Sequence, residues 1–151
     1  MERTLFDSSH NDFRDAVRQF IDRHVLSEYD RWEAEGLVDR DLWRLAGESG
    51  FLGMSVPTEY DGGGAPDFRY NAVLVEAFAR AGAVSLSSGF GLHNDVVAPY
   101  LLELCTEEQK RRWLPGFCSG EIVTAIAMTE PGTGSDLKAV RTTAIRDGDS
   151  Y

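Results

Sequence analysis

Basic residues are scarce in this 151-residue chain: 15 Lys and Arg stand against 25 Asp and Glu, a formal net charge of -10. Nucleic-acid binding leans on clustered Lys and Arg that neutralise phosphates, so this balance argues against a polyanion partner. The acidic groups are scattered and read as solvated surface. No apolar run approaches the ~20 residues that span a bilayer. The stretch Met1 to Asp7 lacks a signal peptide's charged-then-apolar pattern, and a cytoplasmic location is expected by default. Only two cysteines occur, Cys105 and Cys118; they form no Cys-x-x-Cys pair, sit in apolar helical surroundings and read as buried reduced thiols. His10, His24 and His93 are too far apart for a helical metal pair; each reads as surface or satisfied core, and no metal is expected. No Gly-Lys-Ser phosphate loop exists, and no Ser, His and Asp order reads as a triad.

What is present suffices for a core: 42% of residues are hydrophobic and 11% aromatic, over a length suited to about one domain. The first part reads as helical. Ser9 with Asp12 offers a capping-box start, and Phe13, Val17, Phe20, Ile21 and Val25 recur at the spacing of one helix face. Tyr29 and Trp32 belong to a short piece that Gly36 stops. Asp39 is a candidate cap for a helix carrying Leu42, Leu45 and Ala46 up to Gly50, with Phe51 packing back. Residues 57–66 read as a loop, after which Asp67 caps a helix with Tyr70, Val73, Leu74, Ala77, Phe78 and Ala81 on one side. Ala83 to Cys105, nearly uncharged, reads as a helix buried on most sides, kinked at Pro99 or truly starting there. Its small residues Ser85, Ser87, Ser88, Gly89 and Gly91 suit helix packing or a cavity wall, with packing preferred. Thr106 with Gln109 forms another capping box, opening a helix that runs toward Gly120.

After Gly120 the period changes. Ile122 to Met128 is a continuous apolar run expected as a strand, Val140 to Ile145 is expected as a second, and Asp147-Gly148 signals a hairpin turn. Two strands make no stable sheet alone, so the chain is expected to be a fragment or truncated product. Between them lies Thr129-Glu130-Pro131-Gly132-Thr133-Gly134-Ser135-Asp136. Gly132 and Gly134 allow a bound group to approach the backbone more closely than a Cβ permits, and the Thr129 and Ser135 hydroxyls both donate and accept. Such a surface suits a flat heterocycle with a phosphate arm; the plainer alternative is a strand ending in an ordinary Pro-Gly turn. A dinucleotide fingerprint is excluded because Leu137 stands where its third glycine is needed.

Thr129 to Asp136 resembles the flavin-contacting motif of the acyl-CoA dehydrogenase family at every fixed position. Val56-Pro57-Thr58-Glu59-Tyr60-Asp61-Gly62-Gly63-Gly64 is similar to that family's glycine-rich loop, except that Asp61 replaces its first glycine. Thr106-Glu107-Glu108-Gln109-Lys110 through Pro115 is similar to its Thr-Glu-Glu-Gln-Lys helix. The resemblance implies a mainly α fold: a helical-bundle N-terminal domain over residues 1–120, followed by the first strands of a middle β domain, incomplete, over 121–151.

The resemblance further implies FAD as cofactor and oxidation of the α,β bond of a fatty acyl-CoA. In that reaction a carboxylate removes the α proton and the β hydrogen leaves as hydride. Ile126, Ala127, Met128 and Thr129 are implied along the flavin ring, Gly132, Gly134 and Ser135 by its phosphate arm, and Ser135 also at the substrate. No catalytic residue is assigned; the base is expected beyond Tyr151, and Glu130 is given a structural role. An electron-transfer flavoprotein as electron acceptor and a homo-oligomer, tetrameric in the family, are implied as partners. Were the small residues near Ser87 to line the acyl pocket, as in the family, a long or branched chain would fit. The alternatives are a non-catalytic truncated module and a flavin oxidase or monooxygenase relative.

Overall fold

The computed structural model describes residues 4–151; Met1 to Arg3, part of the stretch read for a leader pattern, lie outside the described residues. Seven α-helices are found among the described residues: α1 Ser8–His24, α2 Tyr29–Glu35, α3 Arg40–Glu48, α4 Arg69–Arg80, α5 Val84–Gly91, α6 Ala98–Leu104 and α7 Glu107–Ser119. None of the helices is long and apolar enough to cross a membrane.

The apolar stripe of α1 packs on α4. Val17, Phe20 and Ile21 from the first helix and Leu74, Ala77 and Phe78 from the second meet Trp32, Leu42, Phe51, Leu86 and Phe90 in one buried cluster. Edge-on ring pairs order it, with Phe20 on Phe51 at 5.2 Å and Phe78 on Phe90 at 5.1 Å between centroids. Each such side chain contributes about 1.5–3 kcal/mol by leaving water. A second cluster joins Val56, Tyr60, Val97, Ala98, Leu114, Phe117 and Cys118.

Side-chain caps open α1 and α7 alone among the described α-helices, and not always at the expected residue. α1 starts two residues earlier than the Ser9/Asp12 reading: Asp7 is the N-cap, its carboxylate accepting from the Ser9 and His10 amides, and His10 completes the box. A carboxylate in that place outcompetes the Ser9 hydroxyl, which bonds to Asp7 at 2.7 Å instead. The Thr106/Gln109 box forms as expected, through the Gln109 amide to Thr106 Oγ1 and the Thr106 amide to Gln109 Oε1. Asp39 precedes α3 without capping it, because its carboxylate is taken by Arg31. Cys118 is buried but Cys105 only half so, since it sits in the extended joint between α6 and α7.

The run from Ala83 to Cys105 is helical without a break from Val84 to Leu104, but it is not uniformly α-helical and not buried on most sides. Six residues, Leu92–Val97, form a π-helical segment between α5 and α6. Pro99 follows in the first turn of α6, where it lacks an amide and crowds the carbonyl behind it. Val84, Val96, Tyr100 and Leu104 of this run are exposed. Some of the small residues of α5 lie at crossings, while Ser85 and Ser88 are exposed: a methyl group at Gly89 would meet the Trp43 ring at 3.7 Å, and Ser87 Oγ donates to the Val75 carbonyl at 3.2 Å.

The expected strands Ile122 to Met128 and Val140 to Ile145 do not pair. Among the described residues, only isolated bridges occur, Glu130 with Thr133 and Asp147 with Ser150. The physical reason is that a strand is completed by a neighbour, and two short segments gain too little from each other. The Asp147-Gly148 signal does give a turn, with Gly148 at φ 63°.

Candidate functional site

The site begins where α7 ends. Gly120 turns left-handed, and the Ile122 amide returns to the Gly116 carbonyl at 2.9 Å, launching the chain away from the bundle. Four residues on from Phe117, the Glu121 amide bonds to the Ser119 hydroxyl, leaving the Phe117 carbonyl without a helical partner. His93, in the π-helical segment, fills that role. Its Nε2 lies 3.0 Å from the carbonyl and its ring stacks on Phe117 at 3.6 Å. A carbonyl only accepts, so Nε2 carries the hydrogen. Burial pushes the His93 pKa down from 6.5 to about 4, against a smaller opposing effect of the Phe117 carbonyl. The ring is neutral near pH 7, and Nδ1 accepts from the Thr124 hydroxyl at 2.9 Å.

Beyond Thr124 the chain borders two clefts. One, of about 530 Å³, is lined by Ala127, Met128, Thr129 and Glu130 together with Tyr100, Leu137, Val140 and Thr142. The other, of about 330 Å³, is apolar and lies between Val97, Tyr100, Ala125, Ile126 and Met128. Among the described residues no hydrogen bond engages the main chain of Ala125 to Thr129, or the hydroxyls of Thr129 and Ser135. Alternating donors and acceptors on an extended chain are thus free for a ligand on one edge and a neighbouring strand on the other.

The bend after Thr129 is held by its own atoms. Glu130 and Thr133 exchange two main-chain hydrogen bonds at 3.0 and 3.1 Å, and Thr133 Oγ1 donates to the Asp136 carbonyl at 2.6 Å. The Glu130 carboxylate accepts from the amides of Arg141 and Thr142 and from the Thr142 hydroxyl, which draws its pKa below the ordinary carboxylate value. A carboxylate so engaged ties two segments together and is a poor proton acceptor.

Of the residues singled out from sequence, Ala127, Met128 and Thr129 come together at the larger cleft and Ile126 at the smaller. Gly132, Gly134 and Ser135 are exposed on the bend, outside either lining, and nothing lies within 4 Å of where a Cβ would stand on Gly132 or Gly134. Tyr100, which borders both clefts, and His93 were not singled out. Tyr100 carries no local sequence signal; the sequence offers His93 only as surface or satisfied core, and its bond to Thr124 is visible only in three dimensions.

The model of the family described as "Acyl-CoA dehydrogenase, N-terminal domain" matches residues 7–121. The long-chain specific acyl-CoA dehydrogenase, mitochondrial, of Sus scrofa is 40% identical over 149 residues, which cover 99% of this chain and 34% of that protein. A solved acyl-CoA dehydrogenase from Geobacillus kaustophilus superposes with a TM-score of 0.90 at 44% identity, over 98% of this chain and 38% of the other. One from Bacillus anthracis, solved in complex with FAD, gives 0.80 at 34%, over 93% and 24%. The chain thus spans about a third of the length of the curated relative. With a family match over most of its length and a shared helical fold, the chain belongs to the acyl-CoA dehydrogenase family.

Proposed function

We propose that this chain is the N-terminal part of an FAD-dependent acyl-CoA dehydrogenase acting on a long-chain fatty acyl-CoA. Residues 1–120 would form its helical domain and residues 121–151 the beginning of its middle β domain. One observation carries the reading: an unengaged main-chain edge, Ala127 to Thr129, and the free Thr129 hydroxyl border a cleft of about 530 Å³. The donor set fits a flat heterocycle with a polar edge, because amide, carbonyl and hydroxyl alternate along one line while Tyr100 and Met128 offer apolar surface.

When bound, FAD supplies the oxidising capacity for the α,β bond. Ile126, Ala127, Met128 and Thr129 would hold its ring, with Gly132, Gly134 and Ser135 toward its phosphate arm and Ser135 also toward the acyl-CoA. The base is assigned beyond Tyr151, a placement supported by the three hydrogen bonds that occupy Glu130. The long-chain assignment is supported by the 40% identity to the enzyme from Sus scrofa. An electron-transfer flavoprotein as acceptor, a homo-oligomeric assembly and a cytoplasmic location complete the proposal.

The test is made on the purified full-length polypeptide. Flavin absorbance that bleaches anaerobically with palmitoyl-CoA more readily than with butyryl-CoA is the expected outcome. Absence of flavin rejects the reading in favour of a binding module, oxygen consumption in place of bleaching points to an oxidase or monooxygenase, and a butyryl preference removes the long-chain assignment.

A further inference from the structure

We infer that His93 is a positioning residue for this site: its hydrogen bond to Thr124 sets how Ala125 to Thr129 present their main chain to the cleft. The inference rests on the flavin reading for its consequence, but not for its geometry.

The segment has few anchors. The Ile122 amide bonds to Gly116, Thr124 bonds to His93, and no further hydrogen bond holds the main chain until Glu130 meets Thr133. At about 3.3 Å per residue, the five residues from Ala125 to Thr129 extend roughly 16 Å from their last fixed point. A slip of one residue in an extended chain exchanges the groups that face each side. Thr124 is therefore the place where register is decided.

His93 is suited to decide it because the ring has no freedom of its own. It is completely buried, it lies 8° from parallel to the Phe117 ring, it touches Trp43 on another side, and Nε2 is fixed on the Phe117 carbonyl. Its neighbours in the π-helical segment are tied as firmly. Asn94 donates to the Phe51 carbonyl at 2.9 Å and accepts from the Gly53 amide at 2.8 Å, and Asp95 accepts from Asn71. Three consecutive residues thus grip three different parts of the bundle, and the widened turn gives each its own direction. A histidine that merely needed a partner for Nδ1 would move nothing beyond Thr124; one that positions the segment is felt at Met128 and Thr129.

Thr124→Val in the full-length protein keeps the side chain's shape and removes the hydroxyl. Expected are a roughly three- to tenfold weaker flavin affinity, the size of one lost neutral hydrogen bond, a displaced flavin absorption band, and a lowered melting temperature, because the buried Nδ1 of His93 loses its partner. In flavin-free protein the amide signals of residues 127–129 and the Met128 methyl signal should move. Thr124→Ser should restore all of these; His93→Gln should also displace the signals of residues 127–129, and adding Thr124→Val in that background should displace them no further. Parental signals at 127–129 in Thr124→Val, or a further displacement of those signals in the double variant, overturn the inference. A parent protein without flavin would sink the functional reading alone, since the signals of the flavin-free protein still decide the role of His93.

Discussion

Gly120 passes the backbone of Trp43 so closely that a Cβ on it would stand 2.1 Å from the Trp43 carbonyl oxygen. The relation is reciprocal, since a Cβ on Gly47 would stand 2.4 Å from the Ser119 carbonyl. Two glycines let α3 and the end of α7 touch backbone to backbone, and this contact aims the segment that reaches the cleft. Gly120 also has φ 77°, a conformation costly for residues with a side chain. Gly120→Ala should therefore lose on the order of 2–4 kcal/mol, combining left-handed strain with overpacking. Urea unfolding measures it; a loss under ~0.5 kcal/mol would mean that the helices separate freely.

Asp61 is the one non-glycine residue with positive φ among the described residues, at 63°. It stands where the resembling loop has its first glycine, and its backbone takes the left-handed conformation that glycine adopts most readily. Relief of about 1–2 kcal/mol of left-handed strain is offset by glycine's larger unfolded-state entropy of about 0.5–1 kcal/mol. Asp61→Gly should be neutral or stabilising by up to ~1 kcal/mol, whereas Asp61→Val should cost at least that much, because a β-branched residue tolerates this region least. Thermal unfolding of the two variants side by side checks the order.

The helical part was legible because burial imposes its period on the sequence. Val17, Phe20, Ile21, Leu74 and Phe78 needed nothing but spacing. The start of α1 was misplaced because Asp7 and Ser9 both carry cap chemistry, and the residue completing the box is His10, outside the usual Glu or Gln. The π-helical segment was not legible, since its register depends on His93, Asn94 and Asp95 finding partners far along the chain. The strands failed for a related reason: β-branched composition states a preference, and pairing requires a neighbour. At the cleft, Ala127, Met128 and Thr129 followed from a contiguous motif, while Tyr100 joins them only through the fold.

The buried neutral His93 gives a sign to the pH dependence. Its folded pKa of about 4 lies below the unfolded 6.5, so the unfolded chain binds the proton first. Stability tied to this ring is full above pH 6.5 and is lost as pH falls toward 4, by about 3 kcal/mol over that window. Asp7, held down at about 2 chiefly by the Ser9 hydroxyl, acts in a lower window, beginning near pH 4. His93→Gln should flatten the stability curve between pH 6.5 and 4 while leaving the fall below 4 in place. Unfolding free energies at half-unit pH steps decide; an unchanged slope would show that the ring is protonated in the folded state.

Gly134 separates the needs of the fold from the needs of a ligand. Its φ is not positive and nothing lies within 4 Å of where a Cβ would stand, so the chain itself has no use for glycine there. If a bound group passes close to this backbone, an added methyl removes space that only the ligand uses. Gly134→Ala should then leave the melting temperature of the flavin-free protein unchanged or slightly raised, since alanine lowers unfolded-state entropy by about 0.4–1 kcal/mol. The same substitution should weaken flavin binding at least several-fold in the full-length protein. Glu130→Gln supplies the contrast, because it keeps the shape of the bend and weakens the hydrogen bonds to Arg141 and Thr142. Its effect should fall on the order of the bend and leave flavin affinity within a few-fold of the parent. Titration of both apoproteins with FAD distinguishes them: loss of affinity in Gly134→Ala at constant melting temperature supports a ligand at the bend, and parental affinity moves the site away from it.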